Sequence, residues 1–242
     1  MNVLKTAILA AILLCRLTSP AQTAAEILEK HEQAMGGLSN WNKIKTMEFT
    51  ASVLQQGMEI PYTLKVKAGK AMYVTNTYNE YTNTWVIVPH PDGKEQTGRT
   101  SKKVNGETID NVTFYWPEVN MVSSLLLDYK TNGMNAVYEG KDTAGNTPCY
   151  KLKLTRKNGT SLTAYFDMNT YYLLRLETVL LVDDLETEIF VGYKNYQKMN
   201  DVVIPMSCTN PNTGVAAVKE TVFKKITINP PLDDSLFKPE PK

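Results

Sequence analysis

The chain of 242 residues has only two histidines and three cysteines, and this scarcity limits its chemistry from the outset. His31 opens a His31-Glu32-Gln33-Ala34-Met35 run, but Met35 stands where a metalloprotease helix carries its second histidine. His90 falls in a proline-flanked turn, so no zinc-ligand spacing exists. There is no Gly-x-Ser-x-Gly elbow, and a catalytic triad would have to borrow one of those two histidines as its base. Phosphate-cradling glycine loops are missing too, because Gly36-Gly37 follows a helical pattern instead of opening one. The carboxylate pairs Asp183-Asp184 and Asp233-Asp234 sit in turn-like contexts, where solvated caps are their usual role. Charge of one sign is equally lacking, with 26 Lys and Arg against 25 Asp and Glu. That balance gives no electrostatic reason to bind nucleic acid or an anionic membrane surface. The residues imply no metal and no cofactor, and they point away from an enzyme.

No apolar run reaches the ~20 residues that span a bilayer as a helix. The longest, Ala7 to Leu14, follows Lys5, precedes Arg16 and leads to the small residues around Ser19-Pro20-Ala21. This is the pattern of a cleaved export signal over residues 1–21, which places the mature protein in the periplasm as one domain over residues 22–242. A lipid anchor at Cys15 is the rival, and the bulky Leu14 before it fits that motif poorly. Removing the leader takes Lys5 and Arg16 with it, leaving 24 basic against 25 acidic residues, or about −1. Cys149 and Cys208 remain; they either pair or lie buried apart, and their spacing does not decide which.

Alternation is what the chain has in abundance. From Gly145 to Pro205 it reads as a meander: Tyr150 to Leu154, Leu162 to Phe166, Tyr172 to Glu177 and Glu188 to Tyr193, punctuated by Gly, Asn and Asp. Met47 to Val53, Ile60 to Val66, Met72 to Val74 and Thr84 to Val88 alternate likewise, as do Val137 to Gly140 and Lys219 to Ile228. Ahead of the strands, Thr23-Ala24-Ala25-Glu26 forms a capping box, and Ile27, Leu28, His31, Ala34 and Met35 follow at helical spacing up to Gly36-Gly37. A short second helix over Ser39 to Ile44 is expected to insert Trp41 and Ile44. Gln96 to Asn111 is polar and irregular and reads as a loop. Phe114 to Leu127 is apolar without alternation, and Met121 to Leu127 reads as a short helix lying over the sheet. The fold class is therefore mainly β, with a curved antiparallel sheet and an N-terminal helix; Leu236-Phe237 is expected to pin the terminus.

Several of these features together resemble the LolA-like outer-membrane lipoprotein-sorting proteins, especially their divergent Bacteroidota members. They are the Ala25–Trp41 helix with Met35-Gly36-Gly37, the Trp85 strand, Leu127-Asp128-Tyr129 with Gly133, Cys149 to Leu154 and Tyr165-Phe166-Asp167. Tyr171 to Glu177, Gly192-Tyr193 to Tyr196, Val203-Ile204-Pro205 and Leu236-Phe237-Lys238-Pro239 complete the set. The resemblance implies an unclosed half-barrel, a helical or loop lid on its concave side, and a cavity that shelters acyl chains in the periplasm. Those carriers are similar in placing an arginine on an early strand, and the strands from Met47 to Val88 contain none. Arg175, between Leu174 and Leu176, is expected to face away from the apolar side.

On this reading Phe49, Val53, Tyr62, Leu64, Met72, Val74, Trp85, Leu152, Phe166 and Leu174 share the buried face and are candidates to line the cavity, with Tyr115, Trp116 and Leu125 as candidates for its cover. Ordinary core packing under the helix accounts for the same residues. The function expected is non-catalytic carriage of a lipid or the acyl chain of a lipoprotein, with a delivery partner in the outer or inner membrane. The alternative is a protein-interaction module of an export or polysaccharide system, built on the same scaffold with a filled core. Asp142-Thr143-Ala144 and Asp234-Ser235-Leu236 also resemble acceptor triplets of Bacteroidota periplasmic O-glycosylation at Thr143 and Ser235, where chance occurrence in turns is the simpler account.

Overall fold

A computed structural model describes residues 22–55, 57–68, 71–89, 94–103, 105–117, 126–127, 129–130, 133–157, 159–182, 185–210 and 219–238. The export-signal reading at residues 1–21 and His90 lie outside them. The expected capping box forms: the Glu26 N–H donates to the Thr23 hydroxyl at 3.2 Å, and the Thr23 N–H to Glu26 Oε2 at 2.9 Å. Helix α1 (Ala24–Ala34) starts there, and its apolar stripe buries Ile27, Leu28 and His31. Gly36 and Gly37 take φ of 98° and 83° and turn the chain into helix α2 (Leu38–Trp41), shorter than the Ser39–Ile44 helix expected.

Among the described residues thirteen antiparallel strands form one sheet: β1 (Thr46–Gln55), β2 (Met58–Lys67), β3 (Ala71–Tyr78), β4 (Tyr81–Pro89), β5 (Lys94–Lys103), β6 (Thr108–Pro117), β7 (Asn135–Ala144), β8 (Thr147–Thr155), β9 (Ser161–Asp167), β10 (Leu173–Val182), β11 (Leu185–Met199), β12 (Val202–Asn210) and β13 (Lys219–Ile228). Their order is β6-β5-β4-β3-β2-β1-β13-β12-β11-β10-β9-β8-β7, so β1 and β13 meet in the middle while β6 and β7 are opposite edges. The chain must therefore pass from one edge to the other between Pro117 and Asn135. Twelve spacings of a flat sheet measure ~58 Å, and those residues fully extended reach only ~60–65 Å. Yet Leu126, Leu127 and Tyr129 of that passage are buried in the common core. Only a strongly curled, unclosed sheet satisfies both, bringing Leu126, Leu127 and Tyr129 into that core.

The sheet is split where α1 meets it. β12 pairs with β13 only from Ser207 to Asn210, against Val222 to Lys219. Continued toward the helix, that register would set Pro205, which has no N–H, against Lys224, the residue bulged out of the β1–β13 ladder between Phe223 and Lys225. The C-terminal end of α1 fills the gap. Met35 is fully buried, and its carbonyl accepts both the Val203 N–H at 3.0 Å and the Trp41 indole N–H at 2.8 Å. In the same last turn of α1, His31 Nδ1 lies 2.8 Å from the Tyr171 carbonyl, so this nitrogen carries the proton, and the ring stands edge-on to Phe166 at 4.9 Å. Just after β13, the Asn229 side chain ties that strand to the segment entering β1, accepting the Lys45 N–H at 2.7 Å and donating to the Lys43 carbonyl at 3.1 Å. On the outer face, the 3-10 turn Asp234–Phe237 packs on β3 and β4, with Lys67 4.9 Å over the buried Phe237 ring and paired with Asp234.

The meander, the early strands and the pinned terminus form as expected. Three expectations are corrected. Gln96 to Asn111 is not a loop but most of β5 and the start of β6, joined by a turn around Gly106. Tyr115 and Trp116 stand in edge strand β6, paired with Gln96 and Glu95, and so belong to the sheet and not to a separate cover. Leu126 has φ of 60°, so no α-helix runs through it; the rest of the expected Met121 to Leu127 helix, residues 121–125 with Leu125 among them, lies outside the described residues. Cys149 and Cys208 are both buried and unpaired. A bulge between Leu173 and Arg175 moves the fully buried place to Leu173, leaving Leu174 half-buried.

A Cβ on Gly36 would lie 2.1 Å from the Asp201 carbonyl oxygen and 2.9 Å from Val202 Cα, at a φ that disfavours L side chains. Gly36→Ala is therefore expected to lose about 3 kcal/mol in urea unfolding, combining αL strain and overlap. Gly37→Ala, with open space at its Cβ, is expected to lose only the strain, about 1 kcal/mol.

Candidate ligand-binding face

Opposite residues in an antiparallel pair share a face, so the register converts the concave side of β1–β5 into rows. Nearest the helices run Met47, Val66, Met72 and Ile87. The next row is Phe49, Leu64, Val74, Trp85 and Arg99. Beyond it comes Ala51, Tyr62, Asn76, Asn83 and Ser101. Tyr78 and Tyr81, opposite each other, stand at the far rim at 37% and 41% exposure. Apolar character thus fades with distance from the helices.

The sequence candidates divide along the same line. Leu152 and Phe166 have no exposed surface, with Phe166 meeting His31 of α1. Phe49, Leu64 and Met72 are buried, and Phe49 tilts against Phe223 at 5.1 Å. Val53, Tyr62, Val74 and Trp85 are only half-buried. A recess of about 30 Å³ lies under α2 among Trp41, Ile44, Thr46, Met47, Val66 and Ala68. That is the scale of one water molecule, too small for an acyl chain.

Between these two zones sits a small polar knot. Cys208 and Thr221 are opposite each other on β12 and β13 and almost fully buried. Burial pushes the Cys208 thiol up to about 11, an effect the Thr221 hydroxyl partly offsets. Burial also drives the Tyr62 phenol well above its ordinary value, with Cys208 adding to the shift and Thr221 opposing it. Both groups stay neutral at physiological pH, which suits an apolar surrounding. On the outer face, Arg175 pairs with Glu177 and lies 4.7 Å over the Phe190 ring. Tyr165 donates to Glu177 there at 2.9 Å.

No family model and no curated protein matches the sequence. Solved structures do. A LolA superfamily protein from Nitrosomonas europaea is similar over 90% of this chain and 98% of its own, at 11% identity and a TM-score of 0.52. The chain has the LolA-like fold. A putative outer membrane lipoprotein-sorting protein domain from Vibrio parahaemolyticus aligns over 88% and 94% of the two chains, at 11% identity and TM-score 0.47. A DUF1329 family protein from Desulfovibrio piger aligns over 89% and 97%, at 10% identity and TM-score 0.46.

In this LolA-like frame one residue on the concave face escaped the sequence reading. Arg99 of β5 is half-buried directly opposite Trp85, in the apolar row. The strand that carries it, Lys-Glu-Gln-Thr-Gly-Arg-Thr-Ser-Lys-Lys, has no apolar alternation to announce it. Only the pairing with β4 reveals that an arginine stands on this side of the sheet.

The raised Cys208 and Tyr62 pKa values fix a sign. An acid held neutral in the fold stabilises fully below its unfolded pKa and loses that contribution as pH rises through the folded value. Unfolding free energy is expected to fall between about pH 9 and pH 11, the ordinary and folded thiol values. Cys208→Ala should flatten that part of the profile, measured by urea titration at each pH. In the native protein at pH 8, both buried thiols are expected to resist a disulfide reagent until denaturant is added.

Proposed function

We propose that this protein is a non-catalytic periplasmic carrier for a lipid or the acyl chain of a lipoprotein, held on the concave side of β2–β5. The observation that carries the reading is the gradient of burial across one continuous apolar face. Under α1 the face is filled, with Leu152 and Phe166 at zero exposure; beyond it Val74 and Trp85 are half-exposed on the same side. Apolar side chains left half-covered inside a concave sheet favour an apolar occupant. Burying a chain of fourteen methylenes at ~0.8 kcal/mol each contributes more than ~10 kcal/mol gross, before ordering costs. Such a ligand needs neither charge nor catalysis. His31, the histidine on α1, is already engaged in holding that helix.

The export-signal pattern at residues 1–21 supports a periplasmic setting, and no helix among the described residues is long and apolar enough to cross a membrane. A carrier between membranes calls for a delivery partner at one of them.

Protein purified gently from its native periplasm is expected to release an acyl species on lipid extraction, seen by native mass spectrometry as a mass above the bare chain. Stearate bearing a nitroxide on its chain is expected to quench tryptophan emission, and Trp85→Phe to remove most of that quenching. A clean lipid-free mass with no quenching contradicts the carrier and favours an interaction module with a filled core.

A further inference from the structure

The third row of the concave face is not apolar, and its hydrogen bonds are unevenly spent. Asn83 donates through Nδ2 to Asn76 Oδ1 at 3.1 Å, and the Ser101 hydroxyl donates to Asn83 Oδ1. Both amide oxygens are thereby satisfied. Two N–H groups of Asn76 and one of Asn83 have no partner among the described residues, although both side chains are half-buried. A primary amide has two donors to place, so the row faces the concavity as a set of neutral donors seeking an acceptor. Lys103, two residues along β5 on the same face, is occupied by Glu107 at 2.7 Å, and Arg99 is likewise engaged. The donors of this row are therefore uncharged. Successive residues on one face of a strand are ~7 Å apart. An oxygen held at Asn76 and Asn83 thus leaves chain carbons several bonds beyond it at the level of Val74 and Trp85.

We infer that Asn76 and Asn83 form a carbonyl-recognition row, and that the ligand is an acyl chain joined through an ester or amide, not bare hydrocarbon. The inference rests on the carrier reading and narrows it. Ester and amide share the acceptor that the row seeks; the first belongs to a glycerolipid, the second to an N-acylated chain.

The test uses residues 22–242 and three probes of equal chain length: monomyristin, N-myristoylethanolamine and 1-O-tetradecylglycerol, the ether that lacks the carbonyl. Affinities are read by calorimetry below the micellar concentrations. At least one carbonyl probe is expected to bind about tenfold more tightly than the ether, as one or two added hydrogen bonds provide. Preference for the ester indicates a glycerolipid, and preference for the amide an N-acyl chain. The double variant Asn76→Ala/Asn83→Ala should lose the preference while its affinity for the ether stays within about twofold. Equal binding of ether and carbonyl probes by the unmodified protein, or a preference that survives in the variant, overturns the inference and leaves the carrier standing. Binding of none of the three overturns the carrier reading itself. If the double variant melts early, the ether-to-ester ratio of the unmodified protein still decides.

Discussion

The architecture depends on a gap in its own sheet. β12 and β13 part company where Pro205 offers no N–H and Lys224 bulges out of the ladder, so the backbone donor of Val203 needs an acceptor from elsewhere. The Met35 carbonyl supplies it and takes the Trp41 indole N–H as well. One carbonyl oxygen thus fixes the end of α1, the placement of α2 and the start of β12. Gly36 is needed because any side chain there would strike the Asp201 carbonyl. One turn earlier on the same end of the helix His31 is held on Tyr171, so the last turn of α1 is bolted at two neighbouring points instead of resting on the sheet as a loose cover.

That docking divides the concave face. The inward side chains of β8 and β9, such as Leu152, Leu154, Ala164 and Phe166, are fully buried and behave as core. Those of β2 to β5 continue the same rows beyond its reach, growing less buried and more polar toward the tyrosine rim. The two edges of the sheet are joined only by the passage from Pro117 to Asn135, and Leu126, Leu127 and Tyr129 anchor its described part in the core. The β1–β13 pairing, which unites residues from 166 (Leu54 with Glu220) to 181 (Met47 with Ile228) positions apart, closes the molecule only after nearly the whole chain is made. Folding dominated by such distant pairings is slow.

Regular alternation made much of this legible. Thr23 and Glu26 announced the first helix, and the Tyr150–Leu154 and Leu162–Phe166 patterns announced β8 and β9. β5 stayed hidden because both of its faces are polar: the pairing of Asn83 with Ser101 and of Trp85 with Arg99 comes from neighbouring strands, not from local periodicity. β12 was hidden by Pro205, a residue that argues against an inner strand unless its partner has moved aside. The bulge at Leu173–Arg175 exchanged the burial of Leu173 and Leu174, a one-residue shift that no alternation rule anticipates. The polar row across Tyr62, Asn76, Asn83 and Ser101 was invisible for the same reason as β5. It exists only through registers between four strands.

The central claim is that α1 stays docked while a ligand occupies the face beyond it. Amide hydrogen exchange of the protein with and without a bound myristoyl lipid tests this directly. The account predicts added protection over residues 62–66, 72–76, 83–87 and 99–101, with α1, β8 and β9 unchanged. Deprotection of α1 together with new protection at Leu152 or Phe166 would contradict it, because the helix would then be a lid that swings out to open a cavity beneath.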